Sequence, residues 1–248
     1  VIQYRDLPEE LVLILKALPK HTRPMDVLQM AVSSLGTFYD LEVSPEKVKG
    51  KKYNDEYFLN TSAALIGALG SIVAAWHRIR NGDEPISSKP DCTYAENFLH
   101  ILGAEKITPL MTRIMDATLV LHGEHTINAS TFTAMVTSST LANASQVVAS
   151  AIGSLSGPLH GGANEKVIAM LQKIESKEEI RPWLDETLKA KNVVWGMGHR
   201  EDSVKDPRAN ILTEMVQQLF DEREGGVTDI FEKAIELAFR DTRREPKP

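Results

Sequence analysis

Three of the seven histidines in this 248-residue chain stand where helical periodicity breaks, among glycines and polar residues. They are His125 in Leu121-His-Gly-Glu-His-Thr-Ile-Asn128, His160 in Gly157-Pro-Leu-His-Gly-Gly-Ala-Asn164, and His199 in Gly196-Met-Gly-His-Arg200. A lone histidine is usually structural, but glycines beside it let a ligand approach the backbone closely. His160 stands immediately before a run with Val167, Ile168, Leu171 and Ile174 at helical spacing. At the positive end of a helix a neutral imidazole is the favoured form. Such a group donates a hydrogen bond to a carbonyl oxygen on which an enolate is forming. The plain alternative is a helix-entry turn, for which Gly-Gly also serves.

His199 is followed by Arg200 and then by Asp206-Pro-Arg208. Proline suits the first turn of a helix, which makes Asp206 the expected N-cap and puts Arg208 in the opening turn. An arginine fixed in this way meets a carboxylate with two parallel hydrogen bonds. Its plain alternative is a surface arginine paired with a glutamate. His122 and His125 with Glu124 invite a metal reading, but no second histidine–carboxylate cluster has suitable spacing and no cysteine partner exists. Glu124 is better read as orienting a histidine.

The elements that must hold these residues are helical. Residues 24–35 place Met25, Leu28, Val32 and Leu35 on one face, with Pro24 at the start and Gly36 as a stop. Residues 55–80 begin after Asn54, end in Arg78, Arg80 and Gly82, and are apolar on nearly every side, which predicts a central buried helix. A loop follows over 81–90. Further helices are expected over 109–121, 130–138, 143–155, 163–174, 177–190, 207–221 and 228–239. No period-2 run is long enough for a sheet. The texture changes at Gly161-Gly162, from close-packed apolar helices to charged amphipathic ones. The expected class is therefore all-α: a large helical domain over 1–161 and the beginning of a smaller one over 162–248.

Composition narrows the function. A formal charge of −6 and a pI near 5.7 argue against a nucleic-acid partner. The single cysteine, Cys92, excludes an intrachain disulfide and a multi-cysteine zinc site, and fits a reducing compartment such as the cytoplasm. No run reaches the roughly 20 apolar residues of a membrane span, so no membrane partner is expected. The first residues, Val1-Ile-Gln-Tyr-Arg-Asp6, show neither a methionine start nor a signal-peptide pattern.

Taken together, the motifs resemble citrate synthase. The stretches from Glu124 to Phe132, Gly157 to Glu165 and Gly196 to Ala209 are similar to the three signature blocks of that family, in the family's order. Arg23-Pro24-Met25 resembles an upstream block in which histidine is commoner at position 23. The resemblance implies a largely helical two-domain fold, a homodimer or higher oligomer, and condensation of acetyl-CoA with oxaloacetate followed by hydrolysis of the thioester. It implies that His160 hydrogen-bonds the thioester carbonyl as the enol forms, and that His199 polarises the oxaloacetate ketone. His125 and Arg208 would bind oxaloacetate, and the loop Val193, Val194, Trp195, Gly196, Met197 and Gly198 would lie against the adenine of coenzyme A. Acetyl-CoA enters as co-substrate, with no permanently bound cofactor and no metal.

The chain departs from the family's pattern in places. The family's general base is an aspartate in a block of the Asn-Val-Asp-Phe-Tyr type, and Asp229 in Val227-Thr-Asp-Ile-Phe231 is only a superficial counterpart. Two later arginines also lack counterparts in the Arg240/Arg243/Arg244 cluster. Glu201-Asp202-Ser203 replaces an aliphatic, an aromatic and a basic residue, and Ser156 stands where lysine often precedes Gly-Pro. Carboxylates close to a polyanion raise the cost of binding it. These departures suit an incomplete portion of a citrate synthase, which the length mismatch favours, or a degenerate member paired with an active subunit. The residues alone are expected to turn over poorly. The runner-up within the enzyme class is 2-methylcitrate synthase, which takes propionyl-CoA.

Overall fold

The structure, a computed structural model, describes residues 1–39, 41, 55–123, 126–174, 176–196 and 206–221. Ten α-helices and no strand occur among the described residues, which makes the chain all-α. In chain order they are α1 (Glu9–Ala17), α2 (Pro24–Ser34), α3 (Asp55–Arg80), α4 (Tyr94–Leu102), α5 (Pro109–Leu121), α6 (Ala129–Ser138), α7 (Ala144–Leu155), α8 (Ala163–Leu171), α9 (Lys177–Lys189) and α10 (Pro207–Asp221). The helix expected over 228–239 lies outside the described residues. Helices α1 and α4, nine residues each, are additional to the segments expected from periodicity.

Two compact units divide the chain. The first comprises 1–116 and 122–156; the second comprises 117–121 and 157–248. In the first, α3 packs against α1, α2 and α4, and α7 packs against α2 and α6. Its core joins Leu11 and Leu15 of α1, Val27, Ala31 and Val32 of α2, Ala68, Ile72 and Trp76 of α3, and Ala149 and Ile152 of α7. The second unit has a smaller core of Met170, Leu171, Ile174 and Ile180, flanked by Val167, Trp183, Leu184, Val194 and Trp195.

Local chemistry explains the helix starts. The side chain of Thr93 accepts from Glu96 N at 3.2 Å, Thr108 from Met111 N at 3.2 Å, Asn128 from Thr131 N at 2.9 Å and Asn143 from Ser145 N at 2.9 Å. Each hydroxyl or amide satisfies an amide that the helix's own ladder leaves without a partner. Gly103, at φ 95°, ends α4 in the left-handed conformation that glycine adopts without a Cβ penalty.

Three expectations change. Gly36 is not a stop: α2 runs into a 3-10 turn, Leu35–Thr37, that contains it. A Cβ at Gly36 would stand 2.8 Å from both Asn143 Nδ2 and Ser145 Oγ, so close approach to the start of α7 is what requires glycine there. Helix α3 keeps its expected bounds but is not buried all round. Leu59, Ile66 and Val73, seven residues apart, are 70%, 48% and 40% exposed along one side. Finally, Leu59–Arg80 is a 22-residue segment of mean hydropathy 1.5, long and apolar enough to cross a membrane by composition. Its buried face, including Ala68, Ile72 and Trp76, belongs to the core of the first unit instead. The small residues that keep this helix apolar over its length are the ones that pack against neighbouring helices.

Candidate active site

His160 occupies a compact turn at the head of α8. Its amide donates to Gly157 O at 3.0 Å, Gly162 N donates to the same carbonyl at 3.1 Å, and Ala163 N donates to His160 O at 3.1 Å. The backbone of His160 is thus part of the capping of α8, and its half-buried side chain sits beside Leu159, which is 87% exposed. Gly162 has φ −61° and ψ −11°, a conformation open to any residue. Its lack of a side chain, rather than unusual backbone freedom, is what distinguishes it.

Arg208 lies at the second position of α10. Asp206 Oδ1 accepts from Arg208 N at 2.9 Å, which caps the helix. The same carboxylate takes the guanidinium, with Nε 3.0 Å from each oxygen and Nη2 2.6 Å from Oδ2. Arg208 Nη1 donates to Leu121 O at 3.5 Å, at the end of α5 and four residues before His125. A cation there is favoured by the negative end of α5. The expected cap and opening-turn placement are both present, and one partner of the arginine is an aspartate two residues away. Asp-Pro-Arg is the signal for the cap and the helix start, whereas the contact between the two side chains is a finding of the structure.

The loop expected to face coenzyme A is described over Val193–Gly196. Val194 and Trp195 pack against the α8–α9 core while Val193 is 62% exposed. Gly196 has φ 87°, and a Cβ on it would stand 3.3 Å from Val167 Cγ2 of α8. Met197, Gly198, His199 and His125 lie outside the described residues, as do Glu124 and 201–205. Thr126, next to His125, has φ 50°, a conformation costly for a β-branched residue and often found where function fixes the backbone. Periodicity carries no trace of such a residue.

The chain matches the family model described as the citrate synthase C-terminal domain over residues 1–248. It belongs to the citrate synthase family. A citrate synthase of Acidithiobacillus ferridurans is 42% identical over 231 residues, 93% of this chain and 59% of the relative. A 2-methylcitrate synthase of Shewanella oneidensis is 35% identical over 216 residues, 87% of this chain and 55% of that relative. Among solved structures, the citrate synthase of Thermotoga maritima is 30% identical with a TM-score of 0.74, covering 98% of this chain and 61% of that one. The chain therefore spans little more than half the length of the citrate synthases it matches.

Proposed function

We propose that this chain supplies the His160 and Arg208 part of a citrate synthase that joins acetyl-CoA to oxaloacetate and hydrolyses the citryl thioester. The observation that carries the reading is the His160 turn at the head of α8, within a signature block of a family matched along residues 1–248. Loss of a proton from the acetyl methyl group to a carboxylate base moves charge onto the thioester oxygen. A hydrogen bond from His160 stabilises that oxygen, because a fixed donor aimed at developing charge needs no reorganisation. The enol carbon then attacks the oxaloacetate ketone carbon, whose oxygen His199 polarises. Arg208 and His125 hold the oxaloacetate oxygens. Water finally cleaves the thioester and releases coenzyme A, whose adenine lies against the Val193–Gly198 loop. The reaction uses neutral donors and fixed arginines and calls for no metal.

Homodimeric assembly is part of the proposal. Helix α6 has no buried residue and exposes Phe132, Met135 and Val136 at 61%, 53% and 54%, an apolar surface suited to a second copy.

The test is release of coenzyme A thiol from acetyl-CoA and oxaloacetate by the protein that carries these residues, alongside oxaloacetate binding by calorimetry. Absence of both overturns the reading. Faster release from propionyl-CoA would favour 2-methylcitrate synthesis; one methylene is worth only about 1–3 kcal/mol of discrimination. The 42% match to a citrate synthase against 35% to a 2-methylcitrate synthase favours acetyl-CoA. Stable co-purification with a longer homologue, without turnover, would favour a partner-subunit role.

A further inference from the structure

We propose that Asp206 is a positioning residue for oxaloacetate: it sets the plane and direction in which Arg208 presents its guanidinium. This inference rests on the citrate synthase reading above. One carboxylate does two things at once. Oδ1 accepts the Arg208 amide at 2.9 Å, which fixes Asp206 to the first turn of α10, and both oxygens engage the guanidinium through Nε and Nη2. Pro207 joins the two residues and locks its own φ, so the link between carboxylate and arginine is short and stiff. The long arginine side chain, which in water samples many rotamers, is thereby tied to the axis of the helix. Both side chains keep 32% of their surface exposed, so the pair remains accessible to a small solute.

The aspartate has two opposed effects on an anionic ligand. It fixes the arginine in one geometry, which lowers the ordering cost of binding. Its own charge repels the ligand's carboxylates. The bidentate contact, with one bond at 2.6 Å, is charge-assisted and geometrically specific, and positioning is the effect assigned to it here.

Asp206→Asn separates the roles, because asparagine caps a helix as well as aspartate does but carries no charge to hold the guanidinium. Calorimetry on the whole protein should show oxaloacetate bound roughly tenfold more weakly, with a thermal midpoint within about 3 °C of the parent. Asp206→Ser, which also caps but cannot bridge the guanidinium, should weaken binding to a similar extent. In an Arg208→Ala background, Asp206→Asn should change oxaloacetate affinity no further, a coupling that a purely structural role would not produce. Unchanged or tighter binding by both cap-retaining variants, or equal losses in the two backgrounds, overturns the proposal. If the parent binds oxaloacetate and Arg208→Ala weakens it while the Asp206 variants do not, only this inference fails. If the parent ignores oxaloacetate, the citrate synthase reading fails and the inference falls with it.

Discussion

Gly196 rests against Val167: at φ 87° it directs its missing side chain toward Val167 Cγ2, where a Cβ would stand at 3.3 Å. The left-handed backbone favours glycine, and the contact with Val167 leaves little room for a Cβ. Gly196→Ala is expected to destabilise the second unit by ~1–2 kcal/mol in urea unfolding, largely through the backbone term. Adding Val167→Ala should relieve the contact but leave the conformational cost. Full recovery in the double variant would show that the contact alone constrains this position.

His160 and Arg208 should separate chemistry from binding. His160→Ala is expected to lower coenzyme A release at least ~100-fold, in the range for loss of an acid–base or oxyanion group. Oxaloacetate binding should remain within about twofold of the parent. Arg208→Ala should weaken oxaloacetate binding by roughly 10- to 100-fold, the value of charge-assisted hydrogen bonds. Equal losses of oxaloacetate in the two variants would contradict the division of roles.

Asn128 caps α6 just after the His125 segment. Its Oδ1 accepts from Thr131 N at 2.9 Å, and α6 has no buried residue to compensate for a lost cap. Asn128→Ala should cost ~1 kcal/mol and speed hydrogen exchange in the first turn of α6 by about fivefold, whereas Asn128→Asp should keep the parent's protection. Equal protection in parent and alanine variant would show that the helix start is held by something else.

Cys92 is the single cysteine of the chain. Burial raises its thiol pKa, and the charge and side-chain hydrogen bond of Glu96 raise it further, against smaller opposing effects of Lys89 and Arg5. At pH 8 the thiolate fraction is therefore low and the thiol slow to react. Glu96→Gln removes an upward influence, so more thiolate should form and iodoacetamide labelling should quicken. The cap between Glu96 N and Thr93 Oγ1 is a backbone contact that this change leaves in place. Slower labelling of Glu96→Gln would contradict the assignment.

Much of the helical layout is legible in the residues. The start of α10 follows from Asp206-Pro207, that of α5 from Thr108-Pro109, and the end of α3 from Arg78, Arg80 and Gly82. Caps and breakers act within one turn, so a linear reading captures them. The contact that makes Gly36 necessary lies more than a hundred residues away in α7, and no local pattern records it. Composition likewise shows that α3 is apolar but not that Leu59, Ile66 and Val73 stay outside the core. Arg208 is intermediate: its helical position is local and readable, whereas its contact with Leu121 O depends on residues 117–121, distant in sequence, lying in the same unit as α10. His125 and His199 stand out by their glycine-rich or polar settings and lie outside the described residues.

The long apolar helix α3 has a bearing on how the chain is made. During synthesis a segment of membrane-spanning hydropathy is exposed to aggregation until partners cover it. Here α1 and α2, which supply Leu11, Leu15, Val27 and Ala31 to the same core, precede α3 in the chain. They have left the ribosome before α3 emerges, so part of its apolar face meets a waiting surface rather than solvent. The share covered by α4, and that contributed by Ala149 and Ile152 of α7, must wait for later residues.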